Sequence, residues 1–126
     1  MGRAHHMQYL AWFELGRTEF MRAAGVAYSD LEAQGVLLPV SNVDVEYSSP
    51  AAYDELVEIV TRLSEVRSRT VTFSYVACRA ESDEVLASGS TRLVCTDAEG
   101  RPRRLPPQLL DVLHSLRAAG QQDAAS

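Results

Sequence analysis

The chain has 126 residues, 46% of them apolar and 23% charged, with a net charge of -5, values that suit one folded domain and lie far from the compositions of disordered or collagen-like chains. The acidic balance argues against a general nucleic-acid binder, which needs a net basic surface. All 12 basic residues are arginines, so a lysine Schiff base and a lysine phosphate loop are excluded, and anion recognition falls to guanidinium groups or backbone amides.

From Leu10 to Ala24 the apolar residues Leu10, Phe13, Phe20, Met21 and Ala24 recur at helical spacing, and Gly25 supplies a C-cap. Trp12, Phe13, Leu15, Phe20 and Met21 make this helix apolar around more than one face, which suits a helix wrapped by a sheet. A second, brief helical turn is expected over Ser29 to Gln34, with Ser29 and Asp30 suited to its N-cap and Gly35 to its end. The period then changes from helix to strand. Val43, Val45 and Tyr47 alternate with Asn42, Asp44 and Glu46, the rhythm of a strand with one buried face.

Further strands are expected over Leu56 to Val66, Thr70 to Arg79 and Val85 to Thr96, the last two joined as a hairpin through Glu81-Ser82-Asp83-Glu84. Asp97 to Arg104 reads as a loop, and Pro106-Pro107 opens a helix carrying Leu109, Leu110, Val112, Leu113 and Leu116. The domain is expected to occupy residues 1–119, with a polar, disordered tail at 120–126. One long apolar helix and four strands satisfy the layer rule when an antiparallel sheet curls around the helix, an α+β architecture. Open sheet edges then favour pairing with a second copy.

Two cysteines, Cys78 and Cys95, are too few for a disulfide framework or a zinc site and read as small core residues. No apolar run reaches the roughly 20 residues of a membrane span, and the first ten residues lack a signal-peptide core. The cytoplasm is the expected location.

The segment Gly2 to Phe20 resembles the N-terminal signature of the 4-hydroxybenzoyl-CoA thioesterase family and its Tol-Pal-linked acyl-CoA thioesterase branch. Gly2, His6, Tyr9, Leu10, Phe13, Glu14, Arg17, Thr18 and Glu19 match that signature in register. Similarity continues through Ser49 to Leu56, Thr72 to Tyr75, Ala87 to Cys95 and Arg103 to Pro106. The resemblance implies a hotdog fold, an acyl-CoA substrate, a homodimer or homotetramer, and neither metal nor cofactor. It also places the family's catalytic aspartate three positions before Gly2, ahead of Met1, together with the family's first strand. Met1 is therefore expected to be an internal methionine or a truncation point, or else the chain has lost the usual catalytic group.

Thioester hydrolysis needs a carboxylate that activates water or attacks directly, and donors for the oxyanion. By resemblance, the turn at His6 and the amide at the helix start supply the donors, with Gly2, Gln8 and Tyr9 shaping the substrate side. His5 reads as exposed or as a replacement for a family tyrosine. Glu14 and Thr18 share a helix face, and a second branch of hotdog thioesterases uses a glutamate and threonine on this helix. The simpler alternative is a structural Glu14–Arg17 pair.

Arg67, Ser68 and Arg69, and separately Arg103 and Arg104 with Arg101, form basic turns suited to the CoA phosphates, or are simply solvated. Asp44 and Glu46 fit a solvated sheet face, and His114 a partly buried structural histidine. The expected activity is thus acyl-CoA thioester hydrolysis. Its rival is a non-catalytic hotdog protein that binds acyl-CoA or an acyl carrier protein; a hotdog dehydratase is disfavoured because its Asp/His pattern is not visible.

Overall fold

A computed structural model describes the backbone of residues 6–49 and 56–125, and the side chains of 9–49 and 56–119. The elements run α1 (His6–Ala23), α2 (Tyr28–Ala33), β1 (Val40–Tyr47), β2 (Val57–Val66), β3 (Thr70–Arg79), β4 (Val85–Val94) and α3 (Pro107–Ala125). The four strands form one antiparallel sheet in the order β1-β4-β3-β2. The β2-β3-β4 meander and the hairpin at 81–84 are as the sequence reads.

The sheet wraps α1 because every second residue of β3 points at it. Val71, Phe73, Tyr75 and Ala77 are buried, and their β4 partners Leu93, Thr91 and Ala87 lie on the same face. Phe13 stacks on Tyr75 with ring centroids 4.6 Å apart, and Phe20 meets Phe73 edge-on at 5.9 Å. Gly89 makes this approach feasible: a Cβ there would stand 2.8 Å from Phe13 Cε2 and 2.5 Å from the Asp44 carbonyl oxygen. Gly16 does the same on the other flank, where a Cβ would fall 2.6 Å from Thr61 Oγ1. Gly89→Ala is therefore expected to destabilise the fold by about 1–3 kcal/mol through overpacking, measured as a lower midpoint in urea at unchanged slope.

Both early helices end on left-handed glycines. Gly25 has φ 85° and Gly35 φ 78°. In each case the residue after the glycine bonds back across the last turn, Val26 N–H to Met21 C=O and Val36 N–H to Leu31 C=O, both at 2.9 Å. Three expectations need correction here. α1 starts at His6, so the presumed turn before the helix is its first turn. α2 is preceded by Ala27 without a side-chain cap, and Ser29 and Asp30 sit inside its first turn, where Asp30 still faces the positive end of the helix. The helix α3 runs past Gly120 to Ala125 instead of giving way to a tail, because one glycine costs only about 1 kcal/mol and the following glutamines and alanines favour helix.

The strand β1 departs most. A buried face is expected of it, yet Val43 is 50% and Tyr47 49% exposed, and only Val45 is shielded. The reason is position: β1 is the edge strand, and α1 covers the middle of the sheet. On the opposite edge, the α1-facing side of β2 borders a cleft of about 700 Å³ between Trp12, Leu15 and Phe20 of α1 and Val57 and Ile59 of β2. The helix α3 closes the end of the core with Leu109 and Leu113, and Arg117 Nε donates to the Ser64 carbonyl at 3.2 Å.

Candidate active site

The helix α1 carries the candidate residues Glu14 and Thr18, and the sheet fixes how they face. Glu14 is exposed, Thr18 is half-buried, and Arg17 between them is buried. All three line a cavity of about 430 Å³ closed by Tyr28 and Glu32 of α2 and by residues 36–39 ahead of β1. Thr18 Oγ1 donates to the Glu14 backbone carbonyl at 2.9 Å, so the hydroxyl is held against the helix and not against the Glu14 carboxylate.

The structural Glu14–Arg17 pair does not form. Arg17 Nη1 donates instead to Tyr75 Oη at 3.2 Å and Thr91 Oγ1 at 3.3 Å, and those two hydroxyls lie 2.6 Å apart. Burial works against the guanidinium charge, but the Tyr75 and Tyr28 hydroxyls more than offset it and hold the group protonated. Burial likewise pushes the Tyr28 phenol up, against the opposing pull of Arg17. Tyr75, Thr91 and Tyr28 carry no sequence signal for this role. Their only mark is that a buried arginine must find partners somewhere.

Gly2 and His5 lie outside the described residues, as do the side chains of His6 and Gln8. The backbone places His6 as the first residue of α1, among the amides that a helix leaves without internal acceptors. The His6 and Glu14 backbones are eight residues apart on one helix, about 12 Å along its axis. Tyr9 is fully buried against Trp12, Phe13 and Tyr47, which makes it part of the core wall. Burial raises its phenol pKa against the lowering influence of Arg79.

The two arginine turns, separate in sequence, meet in space. Leu105 N–H donates to the Ser68 carbonyl and Cys95 N–H to the Arg69 carbonyl, both at 2.8 Å, while Arg103 N–H donates to the Cys95 carbonyl at 2.9 Å. Arg67, Ser68, Arg69, Arg103 and Arg104 thus surround one corner of the sheet. Arg67 is paired with Glu65 at 3.1 Å, and Arg69 and Arg104 are exposed. This corner is remote from the start of α1. Tyr9 packs on Tyr47, which pairs through Ala87 with Ala77, and Ala77 is roughly 25 Å along β3 from Arg69.

Other candidates fall away from α1. Asp44 and Glu46 are exposed on the convex face of the sheet, with Arg92, Thr72 and Ser64 beside Asp44. His114 is exposed on α3 rather than partly buried, because it follows Leu113 on the solvent side. Cys95 is buried, which raises its thiol pKa against the opposing influence of Arg103. Among the described residues no cluster of three or more metal-ligating side chains occurs, and no helix is long and apolar enough to cross a membrane.

Comparison with known proteins matches the chain, over residues 1–113, to the family described as the thioesterase-like superfamily. The acyl-CoA thioester hydrolase YbgC of Escherichia coli is 31% identical over 110 residues, which cover 86% of this chain and 81% of that protein. Among solved structures, the protein TT1821 of Thermus thermophilus superposes with a TM-score of 0.85 at 36% identity, covering 92% of this chain and 88% of that one. A DHNA-CoA thioesterase of Staphylococcus aureus superposes with a TM-score of 0.88 at 28% identity, covering 98% and 85%. The hotdog architecture, a sheet curled around one long helix, is thus the fold of this chain.

Proposed function

This chain belongs to the thioesterase-like superfamily, and we infer from that membership that it hydrolyses acyl-CoA thioesters to the free acid and CoA. The observation that carries the reading is the match over nearly the whole chain to a named acyl-CoA thioester hydrolase and to a solved CoA thioesterase. The reaction adds water across the thioester: a carboxylate takes the proton of the attacking water, and the thiolate of CoA leaves and is protonated. The developing oxyanion needs preorganised N–H donors.

Two places on α1 suit this chemistry. The first turn, at His6, offers unpaired amides at the positive end of the helix, with the carboxylate supplied from outside the described residues as the family resemblance implies. The second is the cavity of Glu14 and Thr18, where an exposed carboxylate and a hydroxyl line one hollow. Glu14→Gln separates them. We expect it to lower kcat by less than about 3-fold if the first turn is the site, and by 100-fold or more, the usual scale of a lost general base, if Glu14 is the base. Thiol release from short, long and aromatic acyl-CoAs measures both, and silence across the panel from a folded sample would overturn hydrolysis in favour of acyl-thioester binding.

The arginine corner is proposed to hold the CoA phosphates, supported by the meeting of the two turns. A homodimer or homotetramer is proposed from the open β1 edge, whose half-exposed Val43 and Tyr47 gain cover when a second copy extends the sheet. The two free thiols support a cytoplasmic location.

A further inference from the structure

Among the described residues Arg17, 8% exposed, is the charged side chain that the fold buries. A buried guanidinium ordinarily meets a carboxylate. Here its hydrogen bonds go to two neutral hydroxyls, its Nε has no acceptor, and no ion pair reaches it among the described residues. Hydroxyls satisfy donors without cancelling charge. The Tyr28 hydroxyl on the same cavity is buried too, beside the guanidinium it helps to hold charged but without a hydrogen bond of full geometry. Two polar groups with unused hydrogen-bonding capacity therefore border one hollow, whose volume of about 430 Å³ falls in the range that holds small ligands.

We propose that this cavity binds a small monocarboxylic acid, with the carboxylate against Arg17 and Tyr28 and the carbon chain against Val36, Leu37 and Leu38. The planar guanidinium fork matches a carboxylate. Glu14 and Glu32, both exposed at the cavity, favour a singly charged ligand over a phosphate ester, because a like-charged rim repels multiple charge more strongly. The acid released by thioester hydrolysis belongs to this class, so the cavity retains product. That origin of the ligand rests on the hydrolase reading; the binding does not.

Titration calorimetry of the intact protein with sodium hexanoate, and with hexanamide as its neutral counterpart, tests the proposal. Hexanoate is expected to bind at least about 10-fold more tightly than hexanamide, Tyr28→Phe to weaken hexanoate about 10-fold, and Arg17→Gln to remove the preference for the acid, the scale of a lost charge-assisted hydrogen bond. Tyr28→Phe, which deletes one oxygen, carries the test should Arg17→Gln fail to fold. Equal binding of acid and amide, unchanged affinity in Tyr28→Phe, or no heat from millimolar hexanoate would overturn it, the last leaving a carboxylate of a second copy as the partner of Arg17. Thiol release measured on the same samples keeps the two readings apart: hexanoate binding without turnover removes the hydrolase and leaves the acid site, and turnover without hexanoate binding does the reverse.

Discussion

Replacing Phe13 by alanine is expected to cost about 3–5 kcal/mol, the range for emptying a buried aromatic site, and to lower the melting temperature by roughly 10–25 °C. Phe13 is fully buried, stacks on Tyr75, touches Tyr9, and occupies the space that Gly89 leaves open. The site cannot collapse easily, because the Gly89 backbone below is pinned by pairing with Val45 on one side and Tyr75 on the other. Leu15→Ala, two residues away but 61% exposed, serves as the control and is expected to change stability by less than about 0.5 kcal/mol. A cost below about 1 kcal/mol for Phe13→Ala would contradict the packing of α1 into the sheet.

The second large effect concerns substrate recognition at the arginine corner. Neutralising Arg69 and Arg104 together, both exposed and neither ion-paired among the described residues, is expected to raise KM for an acyl-CoA by about 10-fold or more with kcat little changed. That corresponds to about 1.4 kcal/mol, modest for two charge-assisted contacts and discounted for screening by water and salt. The same acyl group on pantetheine, which lacks the nucleotide, should show no such change. Arg22→Gln, which removes one positive charge paired with Glu19 on α1, is the control for a general change in net charge. An unchanged KM for acyl-CoA in the double variant would move the phosphates elsewhere and leave the corner as a solvated surface.

Much of this architecture was legible in the sequence, because its signals are local. The alternation in β2, β3 and β4, the helical spacing of Phe13, Phe20 and Met21, and the glycines at 25 and 35 each fix a backbone conformation within a few residues. The signature from Gly2 to Phe20 carried the family, and the apolar residues on more than one face of α1 carried its place inside the sheet. What the sequence hid was relational. The period of β1 is that of a half-buried strand, but only the strand order shows it to be an edge that α1 covers little of beyond the contact of Tyr9 with Tyr47. Neither Arg67 to Arg69 nor Arg103 to Arg104 announces the other, since their meeting depends on backbone bonds made by Cys95 and Leu105. The environment of Arg17 was hidden for the same reason, its partners lying on β3 and β4. The expected Glu14–Arg17 pair followed from helical proximity, and tertiary hydroxyls won because they face the guanidinium inside the core.

The Arg17 contacts also impose an order on synthesis. Its hydroxyl partners follow 58 and 74 residues later in the chain, and at about 5–20 residues per second the second of them leaves the ribosome roughly 4 to 15 s after Arg17 does. For most of that interval α1 has no sheet to enter, its guanidinium stays hydrated, and Phe13 and Phe20 wait for Tyr75 and Phe73 of β3. The newborn first third of the chain is then the stretch most in need of shielding by a chaperone, and β4 is the strand whose arrival ends that need.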